Sequence, residues 1–379
     1  MNEALRQLLL DSVAIGASDL LLVSGAPATA LVAGQWRALA DKPLSSAEIE
    51  QMVGAMLTPA QRQQLDVDRD IDLAMAVPEA GRFRVNVHFQ RGQIAVAIRT
   101  IPPAPPTFGS LKLPPQILDF TRFPSGLVLL TGPTGSGKST TLAALIEEMN
   151  RRRCGHVVTI EDPVEFSFQH GTCLIEQRQI GSDSPSFASA LRHILRQRPD
   201  VILIGEMRDR ETISAALTAA ETGHLVLASL HTAGADLSLS RIIDVFPPAQ
   251  QPHVRTQVAA SLRAIVSQTL LPDQRDGGLI PATEILVANS AIRRAIRDNE
   301  THLILGMIET GKRSGMHTLE QNLAELVRSG HVRAEDALVA AGDSAQLRRL
   351  IGDKLQRGET AGAATWVDTG DEALRALPL

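Results

Sequence analysis

The feature that most constrains the fold of this chain is a glycine-rich segment at residues 132–139, GPTGSGKS. An apolar run at residues 127–130 precedes it, and the residues after it place leucine, isoleucine and methionine side chains at helical spacing. Strand, glycine loop and helix in this order form the context that the phosphate-binding pattern G-x-x-x-x-G-K-[ST] requires. These flanks disfavour the alternative, a chance glycine loop without a ligand. The sequence therefore predicts an α/β fold with a polyphosphate site.

The residue types of this loop suit a nucleoside triphosphate with its magnesium ion. Glycines let backbone N–H groups approach a phosphate closely, and the N-terminus of the following helix adds donors and partial positive charge. Lys138 is expected to reach the β- and γ-phosphates, and the hydroxyl of Ser139 to complete a Mg²⁺ coordination shell. The predicted nucleotide-binding residues are Gly132, Pro133, Thr134, Gly135, Ser136, Gly137, Lys138, Ser139 and Thr140.

Two further apolar runs end in acidic residues. Residues 157–160 are followed by a stretch that contains Glu161 and Glu165, and residues 201–204 are followed closely by Glu206. Ligands of an open parallel sheet lie at the carboxyl ends of its strands, so these carboxylates are expected near the phosphate loop. There, one carboxylate can orient or deprotonate an attacking water, and another can hold the outer shell of the metal. The alternative for the first stretch is a capped loop with solvated acids.

A third apolar run, residues 225–229, has a histidine on either side. His224 precedes this run and His231 follows it by two positions. A single histidine is usually structural. These two histidines flank a strand that must lie beside the strands described above. They are therefore candidates for sensing the phosphate or for coupling its cleavage to movement.

Length and composition indicate a soluble protein with two domains. A chain of 379 residues exceeds one ordinary core, and 44% hydrophobic with 21% charged residues is typical of soluble globular proteins. A net charge of -5, 3% aromatic residues and no tyrosine disfavour a nucleic-acid translocase, so no nucleic acid is expected as a partner. No stretch approaches the roughly 20 apolar residues that span a bilayer. We therefore expect no direct membrane insertion, and any work at a membrane to be done through partners.

Cysteine usage indicates a reducing compartment. Cys154 and Cys173 are the only cysteines, and neither belongs to a C-x-x-C pair. No zinc site and no disulfide framework are expected, and both residues are predicted to be buried and small-apolar in character.

The predicted organisation has four parts, at residues 1–101, 102–110, 111–355 and 356–379. The first part reads as an α+β domain with a leading amphipathic helix and late alternating strands. The second is rich in proline, which lacks an N–H donor, and is predicted to be an extended linker. The third alternates strands with helices and becomes mostly helical beyond Pro252, beginning with a helix near residues 253–265. The fourth, the C-terminal tail, is predicted to be disordered.

Four segments together carry a family resemblance: residues 132–141, 159–166, 205–209 and 222–232. In this order they resemble the Walker A, Asp, Walker B and His boxes of the secretion ATPase superfamily. Within it, the chain is most similar to the type IV pilus retraction ATPases, the PilT/PilU type, over residues 1 to about 350. Further matching segments are ASDL at 17–20, GRFRVN at 81–86, AIR at 291–293 and GMHTL at 315–319.

The resemblance implies a cytoplasmic homohexameric ring that binds ATP and Mg²⁺ between an N-terminal PAS-like domain and a RecA-like P-loop NTPase domain. By position, Glu206 corresponds to the Walker B glutamate, which acts on the metal together with Ser139. Glu165 corresponds to the catalytic glutamate of the Asp box, and Glu161 is the second candidate for that role.

The resemblance also assigns histidines and arginines. His224 and His231 match the two histidines of the His box. Arg82, Arg84 and Arg99 fall on the late N-domain strands from which the family supplies arginines to the phosphates. A planar, permanently charged guanidinium can neutralise charge on the γ-phosphate and link hydrolysis to a domain shift. The alternative for each arginine is a place on a solvated strand face.

The function implied is a motor that hydrolyses ATP to retract type IV pili and so to power twitching motility. Its expected partners are a pilus platform protein of the inner membrane and a sister retraction ATPase. Departures from the family pattern at Leu21, Gln197 and Arg294 leave hydrolysis intact but fit an accessory retraction ATPase at least as well. An assembly or type II secretion ATPase is disfavoured because those relatives typically carry a tetracysteine zinc motif. A nucleotide-gated scaffold with little hydrolysis is the alternative outside the enzyme class.

Overall fold

The structure, a computed structural model, describes residues 2–32, 34–102 and 104–352. The tail predicted to be disordered, residues 356–379, lies outside the described residues. The predicted boundaries of the domains and of the proline-rich linker stay a proposal.

The first part of the chain forms a six-stranded antiparallel sheet with three helices. The strands lie in the order β3-β2-β1-β6-β5-β4, and every pairing between neighbours is antiparallel. In chain order the elements are α1 (Glu3–Ala14), β1 (Asp19–Leu22), β2 (Thr29–Val32), β3 (Gln35–Ala38), α2 (Ser46–Gly54), α3 (Pro59–Asp68), β4 (Asp70–Val77), β5 (Gly81–Gln90) and β6 (Gln93–Ile101).

Local sequence explains these elements, including helix α3, which was not predicted. Phe83, Val85 and Val87 of β5 alternate inward into the core, as the period of two requires. Helix α3 was missed because only Leu65 of its residues is buried, which leaves no apolar periodicity. Its start is nevertheless encoded, since Thr58 forms a capping box with Gln61 and a proline occupies the first turn.

The second part of the chain is a seven-stranded sheet with helices on both faces. The strand order is β13-β12-β7-β11-β10-β8-β9, and all neighbours are parallel except β12 and β13. Its strands and inserted helices are β7 (Gly126–Thr131), α4 (Lys138–Arg152), β8 (Gly155–Glu161), β9 (Cys173–Gln179), α5 (Phe187–Ile194), β10 (Val201–Ile204), α6 (Arg210–Glu221), β11 (Leu225–Leu230), α7 (Ala235–Asp244), α8 (Gln251–Ser261), β12 (Leu262–Pro272) and β13 (Leu279–Val287).

Continuous burial of the central strands sets this architecture. Every residue of β7, β10 and β11 is buried, because helices cover both faces of the sheet. The side chains of these strands divide between two apolar clusters, one on each face. The carboxyl ends of β7, β8, β10 and β11 therefore meet at one edge, which positions the loops that follow them.

The prediction for the region after Pro252 was wrong in part. The expected helix near residues 253–265 ends at Ser261, and the chain then forms the two long strands β12 and β13. Both strands are buried along most of their length, and such apolar runs have no periodicity that separates a strand from a buried helix. The strand β9 and the helix α7 were also missed. Cys154 is exposed, which corrects the prediction that both cysteines are buried; Cys173 is buried as predicted.

The remaining helices pack beside β12 and β13. They are α9 (Ser290–Arg297), α10 (Ile304–Thr310), α11 (Leu319–Arg328), α12 (Ala334–Ala340) and α13 (Ser344–Ile351). Arg293 of α9 donates to the backbone oxygens of Ala259, Ala260 and Leu262, where α8 ends. Of the helices in the described ranges, none combines the length and the apolar character that crossing a bilayer needs.

A partly buried ion pair fastens the segment before β7 to the far end of β12. Lys112 contacts Asp273, whose side chain is fully buried, and His331 Nδ1 lies 3.0 Å from the same carboxylate. This contact joins three parts of the chain that are distant in sequence.

Candidate functional site

The glycine-rich loop follows β7 and leads directly into α4. Gly137 precedes the helix in the left-handed conformation, with φ of 84°, which glycine adopts without strain. At Gly132 a side chain is excluded by lack of space, because a Cβ there would lie 2.2 Å from the backbone oxygen of Gln268. The loop therefore needs glycine at both positions, as the phosphate-binding pattern predicts.

Gln268 of β12 supports this loop, although it is not among the residues predicted from the sequence. Its Nε2 donates to the backbone oxygen of Ser136 at 2.7 Å, and its Oε1 accepts from Thr141 Oγ1 at 2.9 Å. All three side chains are buried. The one available signal was a polar triplet, residues 267–269, inside an otherwise apolar run; its contacts depend on pairing with β7, which local sequence does not reveal.

Lys138 and Ser136 present polar groups inside the loop. Lys138 is 7% exposed, and its Nζ donates to the backbone oxygens of Gly132 and Pro133, each at 2.8 Å. Burial lowers the pKa of Lys138, while the charges of Glu206 and Glu165 oppose that shift. The hydroxyl of Ser136 is buried and has no hydrogen-bond partner among the described residues. A buried hydroxyl without a partner, beside a lysine and a helix N-terminus, fits an anionic ligand.

Glu206 and His231 link the two strand ends beside the loop. His231 Nε2 lies 3.3 Å from Glu206 Oε1, and His231 Nδ1 lies 3.4 Å from Thr134 Oγ1. Arg208 donates to the other oxygen of Glu206 at 2.7 Å. Burial alone would raise the pKa of Glu206, but Arg208 and His231 together hold it below its usual value. Glu206 is thus held ionised at the carboxyl end of β10, close to the phosphate loop.

The two candidate bases differ in freedom. Glu161 Oε1 accepts from Thr159 Oγ1 at 2.6 Å and from Gln177 Nε2 at 3.1 Å. Burial raises the pKa of Glu161, and these hydrogen bonds oppose the rise. Glu165 is exposed, and its backbone N–H donates to Glu161 Oε2 at 3.4 Å. Glu161 therefore holds the loop that carries Glu165, whose own carboxylate has no hydrogen-bond or ion-pair partner among the described residues.

Arginines of the first sheet face this region. Arg84 and Arg99 lie directly opposite each other on β5 and β6, and both line the same cleft as the phosphate loop. Like charges at such a position are destabilising unless something compensates them. Asp72 lies 3.8 Å from Arg84, and Asp19 accepts from Arg99 Nε at 2.9 Å. The pair of cations suits a strongly negative ligand.

Arg82 and His224 are not brought into this cleft. Arg82 Nη1 donates to Ser167 Oγ at 3.5 Å, and this is the one side-chain hydrogen bond between described residues up to 101 and those from 111 onward. His224 lies before β11, at the opposite edge of the sheet from His231, and its Nδ1 contacts the backbone oxygen of Ala219 at 3.1 Å. The two histidines are seven positions apart along β11, which corresponds to about 23 Å at about 3.3 Å per residue.

The cleft collects the remaining candidates. Its volume is about 610 Å³. Within one chain it brings together the phosphate loop and side chains from both sheets, namely Arg84, Arg99, Glu161, Glu165, Glu206, Arg208 and His231.

Comparison with known proteins gives consistent matches. The family model described as type II/IV secretion system protein matches residues 73–361. A twitching motility protein of Neisseria gonorrhoeae is 44% identical over 314 residues, which cover 83% of this chain and 84% of that protein. The type IV pilus retractation ATPase PilT of Pseudomonas aeruginosa is 41% identical over 331 residues, or 87% of this chain and 96% of PilT.

Structural similarity agrees with these matches. A crystal structure of the pilus retraction motor PilT with bound ADP has a TM-score of 0.84 and 40% identity. The matched region covers 89% of this chain and 97% of the PilT chain. The predicted α/β fold class and the family resemblance are confirmed.

Proposed function

The chain belongs to the type II/IV secretion system protein family, and on that premise we propose that it is an ATPase motor that powers type IV pilus retraction. The observation that carries the proposal is the cleft, in which the phosphate loop meets Glu206, His231 and the opposed Arg84 and Arg99. The twitching motility protein and the PilT relatives share most of their length with this chain.

The loop residues hold the nucleotide in this proposal. Backbone N–H groups of residues 132–140, the Lys138 ammonium and the buried Ser136 hydroxyl bind the phosphates. The hydroxyl of Ser139, in the first turn of α4, and the Glu206 carboxylate would hold Mg²⁺, directly and through its outer shell. When bound, this ion neutralises negative charge on the phosphates and so favours cleavage.

Glu165 is the residue we assign as the base. It lines the cleft and is exposed, so its carboxylate can reach and deprotonate a water. Glu161 is engaged by Thr159 and Gln177, and we assign it a positioning role. His231 bridges Glu206 and Thr134, so it can report the state of the phosphates to the end of β11.

Arginines of the first sheet couple hydrolysis to movement. Arg84 and Arg99 gain a counter-charge when the cleft holds a triphosphate and lose part of it after cleavage. Only such differential binding can shift the equilibrium between closed and open arrangements. We propose that six copies form the working ring in the cytoplasm and act on a platform protein of the inner membrane, with a sister retraction ATPase as a further partner.

Phosphate release with and without Mg²⁺, measured beside pilus-based surface motility, tests the motor. Lys138→Ala and Glu206→Gln are expected to abolish both activities, while Glu211→Gln, an exposed acid on α6 outside the cleft, should retain them. Wild-type rates in the first two variants would eliminate the proposal. Tight ATP binding with negligible turnover in the wild type would favour the scaffold instead.

A second pair of variants tests the base. Glu165→Gln should lose turnover while keeping ATP affinity, because its carboxylate acts on the water rather than on nucleotide binding. Glu161→Gln should retain a measurable rate. If Glu165→Gln hydrolyses ATP at the wild-type rate, the assignment of the base is wrong.

A further inference from the structure

A row of buried polar side chains crosses three neighbouring strands immediately before the phosphate loop. Strand pairing places Thr131 of β7 beside Ser267 of β12, and Ser267 beside Glu284 of β13. Thr131 Oγ1 and Ser267 Oγ are 2.6 Å apart, and Glu284 is 6% exposed. Thr131 is the residue before Gly132, so the row is continuous with the start of the loop.

This row anchors the beginning of α7. The N–H of Gly234 donates to Ser267 Oγ at 3.1 Å, and the N–H of Ala235 donates to Glu284 Oε1 at 2.8 Å. Helix α7 has no side-chain cap from its own N-cap residue, which is Gly234. Glu284, on β13, therefore supplies the acceptor and the negative charge that the N-terminus of α7 favours.

The anchored segment carries His231. Only Thr232 and Ala233 lie between it and Gly234, and Thr232 Oγ1 lies 2.7 Å from Ser238 Oγ within the same segment. His231 in turn contacts Glu206 and Thr134 on either side of the cleft. A shift at the start of α7 is therefore expected to displace His231, because the few residues between them span only a short fixed distance.

We propose that Glu284 is a positioning residue for hydrolysis, whose carboxylate holds the His231 segment in its working place and whose protonation releases that segment. The inference rests on the proposed ATPase function, since it concerns the geometry of the same site. Among the described residues, Glu284 does not line the cleft and makes no hydrogen bond to the phosphate loop, so nucleotide binding should depend on it little.

The surroundings of Glu284 make its protonation accessible near neutral pH. Burial raises the pKa of Glu284 to about 7, the N–H of Ala235 opposes the rise, and the charges of Asp236 and Glu320 add to it. Asp236 faces it from α7 and Glu320 from α11, while β12 contributes the uncharged Ser267. Above this pH the ionised carboxylate makes a charge-assisted hydrogen bond to the helix N-terminus, and below it the neutral acid makes a weaker one.

The first experiment measures phosphate release at saturating ATP from pH 6 to pH 8.5. In the wild type we expect kcat to fall by about three- to tenfold as pH falls through 7, since the anchor loses its charge, with KM nearly constant. Glu284→Gln should show the low rate throughout and lack this transition. Glu320→Gln should move the transition to lower pH, because it removes a repulsive charge. A wild-type profile in Glu284→Gln, or an unmoved midpoint in Glu320→Gln, would overturn the proposal.

The second experiment does not need turnover. Amide hydrogen exchange of residues 232–238 should be faster in Glu284→Gln than in the wild type at pH 8, with a smaller difference at pH 6. Equal exchange at pH 8 contradicts the proposal. If the wild type binds but does not hydrolyse ATP, the ATPase function fails while the exchange experiment still decides the role of Glu284. If Glu284→Gln does not fold, the direction of the shift in Glu320→Gln decides it.

Discussion

Replacing Gln268 by alanine is expected to weaken both the fold and the phosphate loop. The side chain bridges two partners, the backbone oxygen of Ser136 in the loop and the hydroxyl of Thr141 in the first turns of α4. The variant removes both hydrogen bonds at once. It leaves the backbone at residue 268, against which Gly132 packs, in place.

The magnitude follows from the two contacts. A buried hydrogen bond contributes about 1 kcal/mol, and a buried partner left unsatisfied costs about 1–3 kcal/mol. Gln268→Ala should therefore lower the free energy of unfolding by about 2–4 kcal/mol. Thr141→Val removes one contact and should cost about half as much. Because only the first variant frees the Ser136 carbonyl, we expect it to weaken ADP binding about tenfold, which corresponds to ~1.4 kcal/mol.

Two measurements separate these effects. Urea unfolding at a fixed protein concentration gives the change in stability, since assembly makes stability depend on concentration. Titration calorimetry with ADP gives the affinity, for which Thr141→Val is the matched control. The reasoning is refuted if Gln268→Ala binds ADP as tightly as the wild type, or if Thr141→Val weakens binding equally.

Three further predictions concern regions outside the cleft. Arg293→Ala should lower the melting temperature in scanning fluorimetry, because it removes the side chain that caps the end of α8. Arg294→Ala breaks one exposed ion pair and should change the melting temperature little. Equal shifts in the two variants would contradict this prediction. A thiol reagent should label Cys154 in the native protein and Cys173 only after unfolding, as read by mass spectrometry; equal native labelling would show that the exposures are wrong. Hydrogen bonds from a lysine, a backbone N–H and a histidine hold the pKa of Asp273 below its usual range, so its contribution to stability is present above about pH 4 and is lost as pH falls. Urea unfolding from pH 3 to pH 6 should show a flatter pH dependence in Asp273→Asn, and a wild-type slope would argue against it.

The elements that were predicted correctly from the sequence are those determined by neighbouring residues in the chain. The phosphate loop and β7, β10 and β11 were found because glycine spacing and short apolar runs report on their immediate surroundings. Strands β12 and β13 were missed because continuous burial leaves no period to read. Gln268 and Ser267 escaped notice for a related reason: their contacts come from pairing with β7, more than 130 residues away in sequence.

The two histidines lie at opposite ends of β11, as the rule for parallel sheets implies. Carboxyl ends of parallel strands gather at one edge, and this rule correctly placed Glu206 near the phosphate loop. Applied to the third run, it separates His231, which follows the strand, from His224, which precedes it. For Glu161 and Glu165, this rule does not help, because both lie at or just after the carboxyl end of β8. Only the hydrogen bonds of Glu161 to Thr159 and Gln177 distinguish the two acids, and these are visible only in the structure.

The long hydrogen bond from Arg82 to Ser167 has a thermodynamic consequence for the two sheets. Within the part of the chain that the structure describes, the first sheet has one apolar cluster and the second sheet has three, and no cluster contains residues from both sheets. Sliding one sheet past the other within a chain therefore breaks a weak polar contact and disrupts none of these clusters. A phosphate group bound between the arginines and the loop is therefore expected to bias the relative orientation of the sheets, through its different affinity for the different arrangements.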